Sequence, residues 1–254
     1  MDSSTLKSNS TITRDLDYSV IIPAYNEENL LPATLSSLQQ AMESVSLKGE
    51  IVVVDNNSTD KTKLVAQQYG ARVIFEPHRQ IAKARNSGAR AAKSDFLVFL
   101  DADTIVPPQL LQNAISLLSR KGFCGGGTLL SFDSQLPFLA DCLVRFWNWL
   151  SKTGKLAAGS FIFCLARGFH DIGGFDENIY AAEEITFSRK IKAWGKKHGL
   201  PFTIIDSQPV ITSGRKFHWY SSLQIALLLV LFTIFPFALR SRSLCNFWYR
   251  RPNP

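Results

Sequence analysis

Asp95-Phe96-Leu97-Val98-Phe99-Leu100-Asp101-Ala102-Asp103 is an apolar run that stops on two carboxylates. Five consecutive apolar residues read as a strand buried on both faces, the pattern of a parallel sheet covered by helices. In such sheets ligands gather beyond the C-terminal strand ends. Asp101 and Asp103 fall there, and two close carboxylates repel unless a cation sits between them. A hard divalent ion, Mg²⁺ or Mn²⁺, is the natural occupant and usually shares itself with substrate phosphates. An isolated Asp-x-Asp has little specificity; here it gains weight from its place after a buried strand.

The same grammar repeats outward from this stretch. Tyr18 to Ile22, Glu50 to Val54 and Ala71 to Phe75 read as strands. Between them, Leu31, Leu35, Leu38 and Met42 mark one apolar helical face, and a capped helix ends near Gly70. Ile81 to Ala92 and the stretch from Pro107-Pro108 to Leu118 read as further helices. Four strand–helix units in the first 120 residues predict an α/β fold with a mostly parallel sheet. Three polar clusters then share one sheet edge: Tyr25-Asn26-Glu27, Asp55 to Asp60, and Asp101 to Asp103. Asp55 can accept a hydrogen bond from a base or sugar, and Arg79, Lys83 or Arg85 can hold a phosphate.

The second half is less regular. Gly125-Gly126-Gly127 leads an extended segment, and Leu139, Leu143, Phe146 and Leu150 share a helical face. Phe161 to Leu165 reads as a strand, Glu183 to Trp194 as a helix, and Phe202 to Ile205 and Val210-Ile211 as two short strands. Leu223 to Leu239 is an uncharged run of 17 residues, about 25 Å as a helix and near the lower limit for a bilayer span. Trp219-Tyr220, Phe247-Trp248-Tyr249 and Arg240, Arg242, Arg250 and Arg251 flank it as a membrane-interface segment requires. The expectation is a C-terminal hydrophobic helix on or across a membrane.

Composition bounds the rest. The 254 residues carry 46% hydrophobic and 19% charged side chains, enough for a core and too apolar for disorder. Lys+Arg 28 against Asp+Glu 21 gives +7, an excess compatible with phosphates or anionic lipid. Cys124, Cys142, Cys164 and Cys245 have no C-x-x-C spacing, so reduced thiols in the cytosol are expected. Residues 1–17 are polar, without the apolar core of a secretory signal, and read as a disordered lead. A dehydrogenase would need G-x-G-x-x-G after the first strand, where this chain has Pro23-Ala-Tyr-Asn-Glu-Glu28. A nucleotidyltransferase would want a Gly-rich, Arg-containing loop there. A sugar- or nucleotide-binding module without catalysis is the non-enzyme alternative.

Ser19-Val-Ile-Ile-Pro-Ala-Tyr-Asn-Glu-Glu28, Val54-Asp-Asn-Asn-Ser-Thr-Asp60, Ala82-Lys-Ala-Arg-Asn86, Asp101-Ala-Asp103 and Gly173-Gly-Phe-Asp-Glu177 occur in this order. Together, over roughly residues 18–216, they resemble the family-2 glycosyltransferases, inverting enzymes of GT-A fold. The resemblance implies a nucleotide-diphosphate sugar donor, probed by a uracil-reading site, a divalent metal and a hydroxyl acceptor, with no nucleic acid partner. It places Pro23, Ala24, Tyr25 and Glu27 around the base and ribose. Asp55 reads the base, with Asn56, Ser58 and Asp60 in its loop. Lys83, Arg85 and Asn86 fall on the donor side, with Asp101, Ala102 and Asp103 in the metal motif and Asp103 the direct ligand.

Glu183-Glu184 stands where the family commonly has Glu-Asp, which puts Glu184 at the general-base position, one methylene longer than usual. Ser213-Gly-Arg-Lys216 resembles the basic segment over the pyrophosphate, with Arg215 stabilising the leaving group. His218 falls where some GT-A enzymes complete the metal site. The processive synthases' Gln-x-x-Arg-Trp is not matched by Arg215-Lys-Phe-His-Trp219, which implies single-sugar transfer. The implied layout is a catalytic domain over 18–216 and a membrane-associated segment with a basic tail over 217–254. The catalytic domain would face the cytoplasm, and a lipid-linked acceptor would suit the apolar segment.

Overall fold

The computed structural model describes residues 16–249, with the side chains of some C-terminal residues, Lys216, His218 and Trp248 among them, outside that description. Most of the expected lead over 1–17, and Arg250 and Arg251, lie outside the described residues.

The first half alternates as its sequence predicts: β1 (Tyr18–Ala24), α1 (Leu31–Glu43), β2 (Gly49–Asp55), α2 (Thr62–Gln68), β3 (Arg72–Phe75), α3 (Ile81–Ala91) and β4 (Phe96–Leu100). After it come β5 (Thr104–Ile105), α4 (Pro108–Ser119), β6 (Gly125–Phe132), α5 (Phe138–Gly154), β7 (Phe161–Leu165) and α6 (Ala166–Asp171). The chain continues through α7 (Glu183–Lys197), β8 (Phe202–Thr212), α8 (Lys216–Trp219), α9 (Ser222–Ile234), a 3₁₀ turn (Pro236–Arg240) and α10 (Asn246–Tyr249). Pro32 and Pro108 open α1 and α4, where the missing N–H costs no helical bond.

One eight-stranded sheet has the order β3-β2-β1-β4-β7-β6-β8-β5. The first four strands are parallel, with Ala24 opposite Asp55, so two polar loops leave the sheet side by side. Val20 to Ile22, Val52 to Val54 and Leu97 to Leu100 are buried, as two covered faces demand.

The sheet as a whole is mixed, and among the described residues six of its eight strands run one way, in line with the expectation of a mostly parallel sheet, while β7 and β5 run against them. β7 runs antiparallel to both β4 and β6, β8 runs parallel to β6, and β5 is antiparallel to β8. An apolar run such as Phe161 to Leu165 is buried either way and does not encode its direction. The two short strands foreseen over 202–211 are one strand, β8, with an irregularity that the Thr128 hydroxyl ties down by donating to the Ile205 and Gln208 carbonyls, both at 2.8 Å.

The long apolar C-terminal helix is also corrected. α9 has 13 residues, about 20 Å, short of the roughly 30 Å of a bilayer core. It opens on a Ser221–Gln224 capping box and stops at Phe235 because Pro236 cannot continue it. The chain then folds back, burying Phe232, Ala238 and Cys245 against Ala181. Among the described residues no helix is long and apolar enough to cross a membrane.

Below the sheet edge, Phe99 of β4 meets Phe169, Phe175 and Phe187, with Phe175 and Phe187 stacked at 4.4 Å. This aromatic block fixes α7 and the Gly173–Glu177 segment relative to β4.

Candidate active site

The loops after β1 and β2 are stitched into one wall. Asn26, in the left-handed region at φ 51, accepts from Thr59 N at 2.8 Å and donates to Thr59 Oγ1 at 3.1 Å. Its own N–H donates to Ser58 Oγ at 3.1 Å. Glu27 N donates to Thr62 Oγ1 at 2.7 Å, and Glu28 N to Asp60 Oδ2 at 3.1 Å. The Asp55 carboxylate accepts from Ser58 N, three residues on, at 2.9 Å, a bond that locks the loop. Asn56 serves the next loop. It donates to the Glu76 and His78 carbonyls at 3.0 and 2.6 Å and accepts from Gln80 N at 3.0 Å. Arg79 is thereby held with its guanidinium 3.7 Å from the centre of the Tyr25 ring.

A cleft follows, lined by Pro23, Ala24, Tyr25, Glu27, Asn56, Asp101, Ala102, Asp103 and Arg215, all expected from sequence. Arg79, one of the three cations singled out in sequence as able to hold a phosphate, lines it too. Ile81, Trp219, Phe247 and Tyr249 also line it and were not among the expected site residues. The aromatics are a correction: Trp219, Phe247 and Tyr249 read in sequence as a membrane belt, yet they face this cleft. The fold-back at Pro236 brings Phe247 and Tyr249 there, with Tyr180 N donating to the Leu239 carbonyl at 2.7 Å; Trp219 comes from α8, just after β8.

Two arginines organise the carboxylates. Arg215 donates to both oxygens of Glu27, at 2.8 and 2.5 Å, and to Asp103 Oδ2 at 3.0 Å. Burial alone would favour its neutral form; the Glu27 hydrogen bonds and the charges of Glu27, Asp103 and Asp101 outweigh it and hold the guanidinium protonated. Arg85 is buried beneath. It donates to Glu183 Oε1 at 2.6 Å, Asp101 Oδ1 at 3.0 Å and the Gly159 carbonyl at 3.0 Å. Its charge too survives burial because Asp101, Glu183 and Glu184 surround it. Among the described residues, the buried Nε atoms of Arg79, Arg85 and Arg215 have no hydrogen-bond partner.

Arg85 thus links the Asp101 loop to the start of α7. Glu183 is buried in that ion pair, while Glu184 beside it is partly exposed. Burial of its carboxyl, then the charge of Glu183, push the Glu184 pKa up to about 8, against the pull of Arg85. The residue before them, Ala182, has φ 58, a left-handed conformation that costs a non-glycine residue energy.

Several expected residues are buried or half-buried and are not among the lining residues of the cleft. Asp55, Ser58 and Asp60 brace the loops. Asn86 accepts from Phe175 N and donates to the Phe175 carbonyl and Glu177 Oε1, each at 2.9 Å, so its amide holds the Gly173–Glu177 turn. Gly174, at φ 70, leaves room for it, since a Cβ there would lie 2.6 Å from Asn86 Oδ1. Lys83, half-buried on α3, is not among the cleft-lining residues.

Among the described residues no three or more His, Cys, Asp and Glu side chains converge as a protein-built metal cage. Asp101 and Asp103 nevertheless offer two carboxylates at the cleft, a donor set that suits Mg²⁺ or Mn²⁺ sharing itself with phosphates.

The sequence model of glycosyl transferase family 2 matches residues 19–155, more than half of the chain. The chain belongs to that family. A validoxylamine A glucosyltransferase of Streptomyces hygroscopicus subsp. jinggangensis is 38% identical to this family-2 chain over 233 residues, covering 73% of it and 53% of the relative. An undecaprenyl-phosphate 4-deoxy-4-formamido-L-arabinose transferase of Pseudomonas fluorescens is 33% identical over 119 residues, covering 44% of the chain and 34% of that protein. The chain therefore spans about half the length of the first of these relatives. Among solved structures, Mycobacterium tuberculosis glucosyl-3-phosphoglycerate synthase, in complex with Mn²⁺, UDP and glucosyl-3-phosphoglycerate, superposes with a TM-score of 0.58 at 18% identity. That match covers 85% of this chain and 79% of the other, and it supports the GT-A-like fold of this family-2 glycosyltransferase.

Proposed function

We propose that the protein transfers one sugar from a uridine-based nucleotide-diphosphate sugar to a hydroxyl acceptor, with inversion and with a divalent metal. The observation that carries the reading is the meeting of Asp101 and Asp103 with Tyr25, Glu27 and Arg215 in one cleft. The guanidinium groups of Arg79 and Arg215, both lining the cleft, suit an anionic ligand such as a diphosphate.

In this reading the base lies against the Tyr25 wall, and Asp55 is the residue that recognises it. Mg²⁺ or Mn²⁺ held by Asp101 and Asp103 would neutralise charge on the diphosphate. Glu184 takes the proton of the acceptor hydroxyl as its oxygen bonds to the anomeric carbon. The bond from that carbon to the diphosphate oxygen breaks, and its electron pair leaves with the diphosphate. Arg215, which lines the cleft, would stabilise the charge that develops on that oxygen. Arg85, through Glu183 and Asp101, holds the base and the donor loop in one frame.

The acceptor is proposed to be lipid-linked, in keeping with the undecaprenyl-phosphate relative and the apolar C-terminal segment. The protein is proposed to work at a membrane, with its catalytic domain on the cytoplasmic side. Metal-dependent release of nucleoside diphosphate, assayed with a panel of donors and membrane extract as acceptor source, tests the reading. Asp103→Asn is expected to abolish metal-dependent donor binding while leaving the fold intact. Unchanged Mn²⁺-dependent nucleotide binding in that variant would sink the assignment.

A further inference from the structure

α5 is built inside out. Asn148 faces the sheet, accepting from Leu130 N at 3.0 Å and donating to the Leu130 carbonyl at 2.9 Å. Ser151 is fully buried, its hydroxyl donating to the Leu156 carbonyl at 2.7 Å, and Ala140 is buried as well. These contacts fix the helix rotation. At about 100° per residue, the opposite stripe then carries Phe138, Cys142, Phe146 and Trp149. Phe138 is 84% exposed, Phe146 59% and Trp149 61%, with the Phe146 and Trp149 rings stacked at 5.9 Å. A helix of a water-soluble surface has this pattern reversed.

α9 packs beside α5 and shows the same habit. Leu223, Leu227 and Ile234 repeat at helical spacing and each is about 60% exposed. Phe235 and Phe237 continue the exposed surface past the helix end. Scattered apolar residues need no explanation, but large ones aligned on two adjacent helices do. Charge frames this surface. Arg145 and Lys152 flank the α5 stripe, and Arg240 and Arg242 follow α9, all exposed. Asp141 and Asp206 pair with the first two, and the Asp176 carboxylate lies within the field of Arg240, which leaves Arg242 as the positive excess.

From this we infer that α5 and α9 together form a docking face that lies flat on an anionic lipid surface, sinking Phe138, Phe146, Trp149, Leu223 and Leu227 into the headgroup–acyl boundary. The inference rests on the membrane reading above and says how the contact is made: α9 lies along the interface instead of crossing it. Short helices with aromatic and aliphatic residues on one side and basic residues at the rim bind bilayers in this manner.

The test is co-sedimentation of the full chain with phosphatidylcholine vesicles and with vesicles rich in phosphatidylglycerol. Binding to the anionic vesicles is expected, and Phe146→Ser/Trp149→Ser should weaken it on the order of tenfold or more. Both positions are exposed, so an unchanged melting temperature serves as the folding control. Lipids brominated near the glycerol backbone should quench wild-type tryptophan fluorescence more than tail-brominated ones, and Trp149→Phe should remove that difference. If the wild type binds neither vesicle, the membrane reading itself fails. If the double variant binds as well as wild type, the membrane reading survives and the docking face is overturned. It is also overturned if tail-brominated lipids quench more, or if the wild type self-associates and the double variant does not.

Discussion

The four parallel strands β3-β2-β1-β4 and the four mixed strands β7-β6-β8-β5 meet along the β4–β7 pair, and the two halves hold their functional side chains by different means. In the first half the loops after β1 and β2 are fixed by backbone N–H groups donating to Ser58, Asp60, Thr62 and Asp55. Each such bond is worth about 1 kcal/mol, more where the acceptor is the Asp55 or Asp60 carboxylate, and none is an ion pair. In the second half, the start of α7 and the segment after β8 are held as ion pairs: Glu183 through Arg85, and Arg215 through Glu27 and Asp103. Backbone-to-side-chain hydrogen bonds thus hold one wall and ion pairs hold the other. The second wall should be more sensitive to mutation and to pH.

The largest effect that would expose this difference belongs to Arg85. Arg85→Ala strands Glu183 and Asp101 without their cation and should cost about 3–5 kcal/mol in urea unfolding. Ser58→Ala on the hydrogen-bonded wall should cost about 1 kcal/mol by the same measurement. Equal losses would remove the distinction between the walls.

Glu184 comes next. With its pKa pushed up to about 8, activity should rise about tenfold per pH unit below that value and level off above it. Glu184→Gln should lose transfer by on the order of 10²-fold or more at saturating donor, with donor affinity kept, and Glu183→Gln should lose less. The reverse ranking would move the base to Glu183. The sign for stability is opposite to that for activity. The folded state binds the Glu184 proton more tightly than the unfolded chain, so its contribution is full below the unfolded pKa near 4.5 and is lost as pH rises through about 8. Glu184→Gln should therefore flatten the fall in melting temperature between those limits.

Ala182 gives the smallest change. Ala182→Gly removes the cost of a left-handed alanine at φ 58 and should raise stability by about 0.5–1 kcal/mol, read from the urea midpoint. A loss instead would mean that the backbone there is unstrained.

The sequence was most legible on the hydrogen-bonded wall. Tyr18 to Ile22, Glu50 to Val54 and Phe96 to Leu100 are uninterrupted apolar runs followed by polar ends, and strand continuity alone places Tyr25, Glu27, Asn56, Asp101 and Asp103 at one edge. The other wall depends on long-range pairing that local pattern does not encode. The direction of β7, the reach of Arg85 to Glu183 and the return of Tyr249 to the cleft are of this kind. Trp219, Phe247 and Tyr249 misled because aromatics beside an apolar run look alike whether they meet lipid or a cleft. Pro236 was the available clue: it divides the run of 17 residues and permits the fold-back.

The glycines of β6 set the order in which the molecule assembles. A Cβ on Gly126 would collide with the Phe163 ring and the Thr203 carbonyl, and one on Gly125 would lie 2.6 Å from the Phe163 carbonyl. The strand is thin because its neighbours on both sides leave no room. Thinness also makes it a poor strand by itself, since each glycine forfeits about 0.5–1 kcal/mol of backbone entropy. It gains nothing until β7 and β8, both later in the chain, flank it. The β1–β4 layer, with shorter loops to close, should form earlier, and β6 should enter as the last slat. In pulse-labelled hydrogen exchange during refolding, the Val52 to Val54 amides would then gain protection before those of Gly125 to Gly127. Simultaneous protection would mean that the sheet closes as one unit.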